Sequence, residues 1–185
     1  GNRENLREKA GNFLELFTVL SVGFVLLASE VYRYVYVSRD FWGSTMLIPI
    51  FVSSYYTNFL CTFPVNFEYY HKKTKVVSII TIVSSLINVG LNYLLILRIG
   101  MAGAAVATLI SHSLQLTLHY LYVRFALGGK EYPFPLKMWV GYAAVFAAVA
   151  VASVAADGLW LARWGLGAAV GLWELLRIRK RKVLI

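Results

Sequence analysis

The sequence predicts an all-α, polytopic membrane protein with six transmembrane helices. Three observations carry that expectation. First, of 185 residues 59% are hydrophobic and only 15% charged, where a soluble domain carries about a quarter charged residues; the mean hydropathy is +0.64. Second, the apolar residues fall in runs close to the roughly 20 residues that a helix needs to cross the hydrocarbon core. These runs occupy residues 13–37, 44–69, 76–97, 102–125, 138–156 and 159–176. Lipid offers no partner to an open backbone, so each run is expected as a helix. Third, the basic residues alternate in side: 14 of the 18 Lys and Arg flank alternate connections, with Arg33, Arg39, Arg98 and Arg163 on the other side. The positive-inside bias then puts both termini in the cytoplasm.

Residues 1–12, "GNRENLREKAGN", are polar and of mixed charge. They read as a cytoplasmic linker and carry no cleavable signal peptide. The chain starts with Gly, so it reads as a fragment whose beginning is missing. The first span ends with Glu30 and Arg33, three apart on one face and able to pair. Tyr32, Tyr34, Tyr36, Phe41 and Trp42 follow as an interfacial belt.

The second span holds Pro49 and Pro64, which are expected to kink it. It also holds Asn58 near its middle and the sole cysteine, Cys61, and it ends on Tyr69 and Tyr70. The third span carries Ser78, Thr81, Ser85, Asn88 and Asn92 at alternating spacings of three and four, hence on one face. The fourth carries Thr108, His112, Gln115 and His119 in the same way. Gly103, Ala107 and Ser111, spaced by four, form a small-residue face for close helix packing. Gly167 and Gly171 do so in the sixth span, with Trp160 and Trp164 flanking its outer end. Residues 177–185 are a basic cytoplasmic tail, and residues 13–176 form one transmembrane domain.

Asn58, Asn88 and His112 each lie near the middle of a span. Two roles fit such groups. They cross-link helices, at about 0.6 kcal/mol per bond, or with Asn92 and Gln115 they line a hydrated path for a polar substrate. The charges Glu15, Glu30, Arg33, Glu68, Arg163 and Glu174 all fall near span ends, where snorkelling or partial hydration lowers their cost. No acid lies near mid-span to couple transport to a cation.

Enzyme chemistry has little basis here. His112 and His119 have no acid on their own helix, and there is no phosphate loop, cysteine pair or serine elbow. No cofactor or metal is expected. The net charge of +9 is a membrane pattern rather than a nucleic-acid footprint, because its cations are split between hydrophobic spans.

The stretch "EYYHKKTKVVSIITIVSSLINVGLNYLLILRIGMAGAAVATLISH" resembles the signature region of polysaccharide biosynthesis flippases, most of all the O-antigen type. These belong to the multidrug, oligosaccharidyl-lipid and polysaccharide exporter superfamily. The matching residues are Lys72, Lys73, Thr74 and Lys75, then Asn88 and Asn92, then Gly100, Gly103, Ala104 and Ala105, with Thr108 beyond them. Upstream, Gly43 and Pro49 in "SRDFWGSTMLIPI" match an outer loop and helix start. Leu97 stands where the family often has Pro, a departure that relaxes the turn. The specific likeness covers residues 28–122; the last two spans agree in hydropathy alone.

The resemblance implies the C-terminal lobe of a two-lobe flippase in the bacterial inner membrane, working by alternating access with a missing N-terminal transmembrane lobe. Its implied cargo is an undecaprenyl-diphosphate-linked oligosaccharide, such as an O-antigen or other lipopolysaccharide repeat unit. Amides suit sugar hydroxyls, and His112 and Arg33 are the candidates for the diphosphate. The implied path residues are Asn58, Asn88, Asn92, His112, Gln115, Arg33 and Glu30. The alternatives are a multidrug extrusion cation antiporter of the same superfamily, or a membrane-embedded enzyme or scaffold.

Overall fold

The computed structural model describes residues 2–32, 44–128, 132–155 and 159–181. Six helices follow in order: α1 (Asn2–Val31), α2 (Ile48–Tyr70), α3 (Thr74–Ile99), α4 (Met101–Phe125), α5 (Leu136–Ala155) and α6 (Trp160–Arg181). Among the described residues there is no strand, as the expectation for a chain in lipid requires. Arg33, Tyr34, Tyr36, Arg39, Phe41, Trp42, Gly43, Lys130 and Lys182 lie outside the described residues. So do the side chains of Arg3, Glu30, Trp160, Glu174, Arg177, Arg179, Lys180 and Arg181.

Among the described residues, four helical stretches are long and apolar enough to cross a membrane: Glu4–Ala28, Ser44–Tyr70, Thr74–Ile99 and Met101–Phe125. The 26 residues of α3 span roughly 39 Å at 1.5 Å per residue, beyond the ~30 Å hydrocarbon core. The sequence leads one to expect six spans; among the described residues the length and apolarity needed are met by four of them. The apolar part of α5, Trp139–Ala155, is short, and α6 carries Arg163 and Glu174 within its apolar run. Residues 2–12, expected as a linker, are helical and continuous with α1.

The chain divides into two compact units, Gly1–Val52 with Val140–Ile185, and Ser53–Trp139. In the first, α6 packs on α1. Gly167 lies against Leu27, but a Cβ there would stand 3.5 Å from Leu27 Cδ2, an ordinary contact, so this packing does not require glycine. Arg163 donates from Nη2 to the Val25 carbonyl at 3.3 Å and is buried. The hydrated helix-end position expected for Arg163 is therefore corrected, because α1 covers its guanidinium. Glu15 is likewise buried rather than hydrated.

In the second unit, α2, α3 and α4 follow one another through two very short turns. Pro49 produces no kink. It stands second in α2, behind a 3₁₀ turn over residues 44–47, where the missing N–H has no helical partner to lose. Pro64 lies inside α2, fully buried, and the helix continues past it. The α2 end is a Schellman cap: Lys73 N donates to Glu68 O at 2.9 Å and Lys72 N to Tyr69 O at 2.9 Å. Lys72 supplies the left-handed residue that the motif needs, at φ 57°, where Gly is the ordinary occupant. Lys72→Gly is expected to stabilise the purified full chain by roughly 0.5–1 kcal/mol, from the relief of left-handed strain less the extra freedom of Gly when unfolded. A thermal melt in detergent checks this, with Lys72→Ala, which keeps the Cβ, showing no such gain.

One residue separates α3 from α4. Gly100 caps both helices at φ 60°, ψ −140°, a backbone region essentially reserved for glycine. Its N–H closes onto Ile96 O at 2.9 Å, and Gly103 N donates back to Gly100 O at 2.9 Å. The chain reverses at once, and α4 returns along α3. A Cβ on Gly103 would strike the Leu95 carbonyl and stand 2.7 Å from the Ile96 nitrogen. The register runs from that contact: Leu95 lies against Gly103, Asn88 against Ser111 and Thr81 against Gln115.

Along its adjoining face α3 exposes a stripe of large apolar residues, namely Ile79, Ile82, Leu86, Val89, Tyr93 and Leu97. Contiguous apolar surface of this kind marks contact with lipid or with a partner.

Candidate functional site

The α3–α4 register brings part of the α3 polar stripe against α4, where Asn88 meets Ser111 of the small-residue face and Thr81 meets Gln115. Asn92 Nδ2 donates to the backbone oxygen and to Oδ1 of Asn88, both at 2.9 Å. Asn88 Nδ2 donates to Ser111 Oγ at 3.2 Å, and Ser111 Oγ donates to Ala107 O at 2.8 Å. The result is a relay of amides and hydroxyl that crosses from α3 to α4. A turn further from the loop, Gln115 Nε2 reaches Thr81 Oγ1 at 3.4 Å. Both Gln115 and Thr81 keep solvent-accessible surface.

His112 links α4 to α2. Its Nδ1 is 2.9 Å from Ser54 O and 3.3 Å from Ser54 Oγ. A carbonyl only accepts, so Nδ1 carries the hydrogen and donates it. Nε2 is then the basic nitrogen of the neutral ring. Tyr55 lies beside the imidazole, with ring centroids 6.4 Å apart. Asn58, one turn beyond Ser54 on α2, is exposed. Asn58, Asn88 and His112 fall near the midpoints of α2, α3 and α4.

Of the residues expected to line a path, the structure thus joins Asn88 and Asn92 with Ser111, His112 with Ser54, and Gln115 with Thr81. It leaves Asn58 facing outward. Arg33 and the Glu30 side chain lie outside the described residues. The partly exposed set offers amide donors and acceptors with one imidazole, a chemistry suited to hydroxyl-rich groups. Among the described residues no group of His, Cys, Asp and Glu is arranged to hold a metal.

A second polar centre joins the far end of the α4 stripe to α2. His119 Nδ1 stands 2.9 Å from both Glu68 oxygens, and both side chains are fully buried. Glu68 was expected at a hydrated helix end. The Schellman turn instead leaves it in the last turn of α2, with its carboxylate against α4. The sequence holds a signal for this pair: His119 continues the α4 stripe, and Glu68 lies just before the basic turn. A search confined to one helix finds no acid for the histidine, because the partner comes from another helix.

Aromatic rings wall this end of the unit. Phe67 and Tyr132 are 5.1 Å apart, Tyr132 and Trp139 5.8 Å, Tyr120 and Trp139 5.7 Å, and Phe63 and Phe134 5.2 Å, most of them edge to face. Burial pushes the Tyr132 phenol up, helped by the neighbouring Tyr120, Cys61 and Glu68, so it stays protonated.

In the first unit, α1 and α6 border an apolar cleft of about 660 Å³, floored by Gly23, Gly167 and Gly171 and walled by Phe24, Leu27 and Val170. Its lining suits a hydrocarbon chain. No protein-family model, no curated protein and no solved structure matches the chain.

Proposed function

We propose that the chain is the C-terminal, six-helix transmembrane lobe of a flippase. On this reading it moves an undecaprenyl-diphosphate-linked oligosaccharide, an O-antigen or polysaccharide repeat unit, across the bacterial inner membrane by alternating access. An N-terminal lobe completes the cavity, and both termini are cytoplasmic. The observation that carries the proposal is the α3–α4 hairpin. The residues that resemble the flippase signature are those that build its turn, Gly100 and Gly103, and its polar relay, Asn88 and Asn92. The amides meet the need for hydroxyl recognition, His112 is a partner for a diphosphate once protonated, and the apolar cleft of the first unit suits a lipid tail.

A scaffold is the second reading, and one observation favours it. Asn88, His112 and Gln115 each bond to a neighbouring helix, as groups used for cross-linking do. The cation antiporter gains nothing from Glu68, which is paired with His119 in the last turn of α2, away from mid-helix.

The test is deletion of the full-length gene in its host, with undecaprenyl-linked oligosaccharides quantified and drug susceptibility scored on the same strain. The expected result is accumulated lipid-linked repeat units and missing surface glycan. Normal glycan lipids with heightened drug sensitivity would replace the flippase by the extrusion antiporter, and no change in either would favour the scaffold.

A further inference from the structure

The proposed path gives Glu68 and His119 no role, yet both are titratable and fully buried. Burying a carboxylate is strongly unfavourable unless a partner compensates it. Among the described residues, the groups that surround the pair supply no second cation. On α2, Cys61 is buried, while His71 turns its Nδ1 to Phe67 O at 2.9 Å. From the α4–α5 connection comes Tyr132, and from α4 Tyr120, both phenols close enough to influence one another electrostatically. Lys72, Lys73 and Lys137 are exposed. The charge balance at this point therefore depends on the protons that the pair itself holds.

We propose that Glu68 and His119 bind one exchangeable proton between them, and that this proton fastens the end of α2 to α4. With the proton present, an imidazolium donates its Nδ1–H to the carboxylate and the pair is neutral overall. When the proton leaves, the Nε2–H bond breaks, its electron pair stays on Nε2, and the proton passes to water. What remains is a buried carboxylate beside a neutral imidazole, a net negative charge in a low-dielectric interior. The fold answers by admitting water or by parting the two helices, so the clamp holds at lower pH and loosens as pH rises.

The geometry leaves one nitrogen of the pair open. His119 Nε2 is buried and has no hydrogen-bond partner among the described residues, and the same is true of Tyr132 Oη and Trp139 Nε1. Tyr132 and Trp139 belong to one aromatic wall: Tyr120 has its ring 5.7 Å from that of Trp139, which is 5.8 Å from Tyr132. Buried polar atoms of this kind are ordinarily satisfied by water, and a water at Nε2 would take up the proton.

The experiment uses the full chain in lipid nanodiscs with ¹⁵N-labelled histidine, followed by NMR across a pH series. His119 is assigned by loss of its signal in His119→Gln. The expected result is that His119 passes from doubly protonated to neutral as pH rises, and that Glu68→Gln shifts or abolishes this transition while His112 is unaffected. Backbone hydrogen exchange in residues 64–70 and 116–122, corrected for its intrinsic pH dependence, is expected to quicken with pH in the unsubstituted chain and to lose that dependence in Glu68→Gln. An unsubstituted His119 that keeps one protonation state throughout the series overturns the proposal, whether or not the variants fold. So does a Glu68→Gln chain that keeps the original pH dependence of exchange.

Discussion

Replacing His119 by Leu while Glu68 remains is expected to destabilise the chain by about 3–5 kcal/mol, enough to abolish folding in a marginal membrane protein. The reason is asymmetry. The intact pair is neutral as a unit with its proton, and the 2.9 Å contacts from Nδ1 to both carboxylate oxygens use the acceptors that burial hides from water. Removing the imidazole leaves a fully buried carboxylate with its principal donor gone. Replacing both partners by apolar residues of similar volume, Glu68→Met with His119→Leu, removes the charge problem altogether and is expected to return most of the lost stability. The readout is the thermal midpoint of the purified full chain in one detergent, with the two single variants and the double variant forming a cycle. Independent, additive losses in the double variant would show that the two side chains do not act as a pair.

Gly103→Val is expected to have the second largest effect, at least about 1–3 kcal/mol from overpacking alone. Here the obstacle is backbone rather than a side chain that can turn away. The added Cβ lands on the Leu95 carbonyl and 2.7 Å from Ile96 N, so relief requires α3 and α4 to separate at their turn. Separation at that level moves Ser111 away from Asn88 and Gln115 away from Thr81, and weakens the rest of the interhelical relay. Gly167→Ala is the control. Its Cβ would meet Leu27 at 3.5 Å and Leu26 at 3.9 Å, all side-chain atoms at ordinary distance, so it is expected to leave the thermal midpoint within roughly 0.5 kcal/mol of the original. Equal losses at the two glycines would mean that the close approach at Gly103 does not hold the hairpin together.

The hairpin was legible because its information is local. Asn88, Ser111, Gln115 and Thr81 can be placed on helix faces from spacing alone, and a one-residue turn at Gly100 fixes how those faces meet. Small residues at 103, 107 and 111 announced the close approach. Elsewhere the signal was ambiguous. Pro49 reads as a kink until the helix start is known, since the same ring is harmless in a first turn. The pairing of Glu68 with His119 spans two helices 51 residues apart in sequence, and periodicity within a helix says nothing about which neighbour faces it. Arg163 misled for the same reason: proximity to a span end suggested water, and the packing of α6 on α1 replaced water by the Val25 carbonyl. Counting apolar residues is least decisive for the last two helices, where Arg163, Glu174 and the short run of α5 interrupt the pattern.

The most direct test of the central claim, that the polar face of α2, α3 and α4 lines a hydrated path, is the accessibility of single cysteines in the full chain. Cys61, the only native thiol and a buried one, is first replaced by Ser. Cysteine is then placed at 58, 88 or 112, and the membranes are treated with a water-soluble thiol reagent with and without an inhibitor of glycan-lipid synthesis. Labelling at 88 and 112, changed when the supply of lipid-linked sugar is cut, is the result that the flippase lobe requires. Complete protection at both positions under every condition, with 58 alone reactive, would contradict it and leave Asn88 and His112 as dry cross-links between helices.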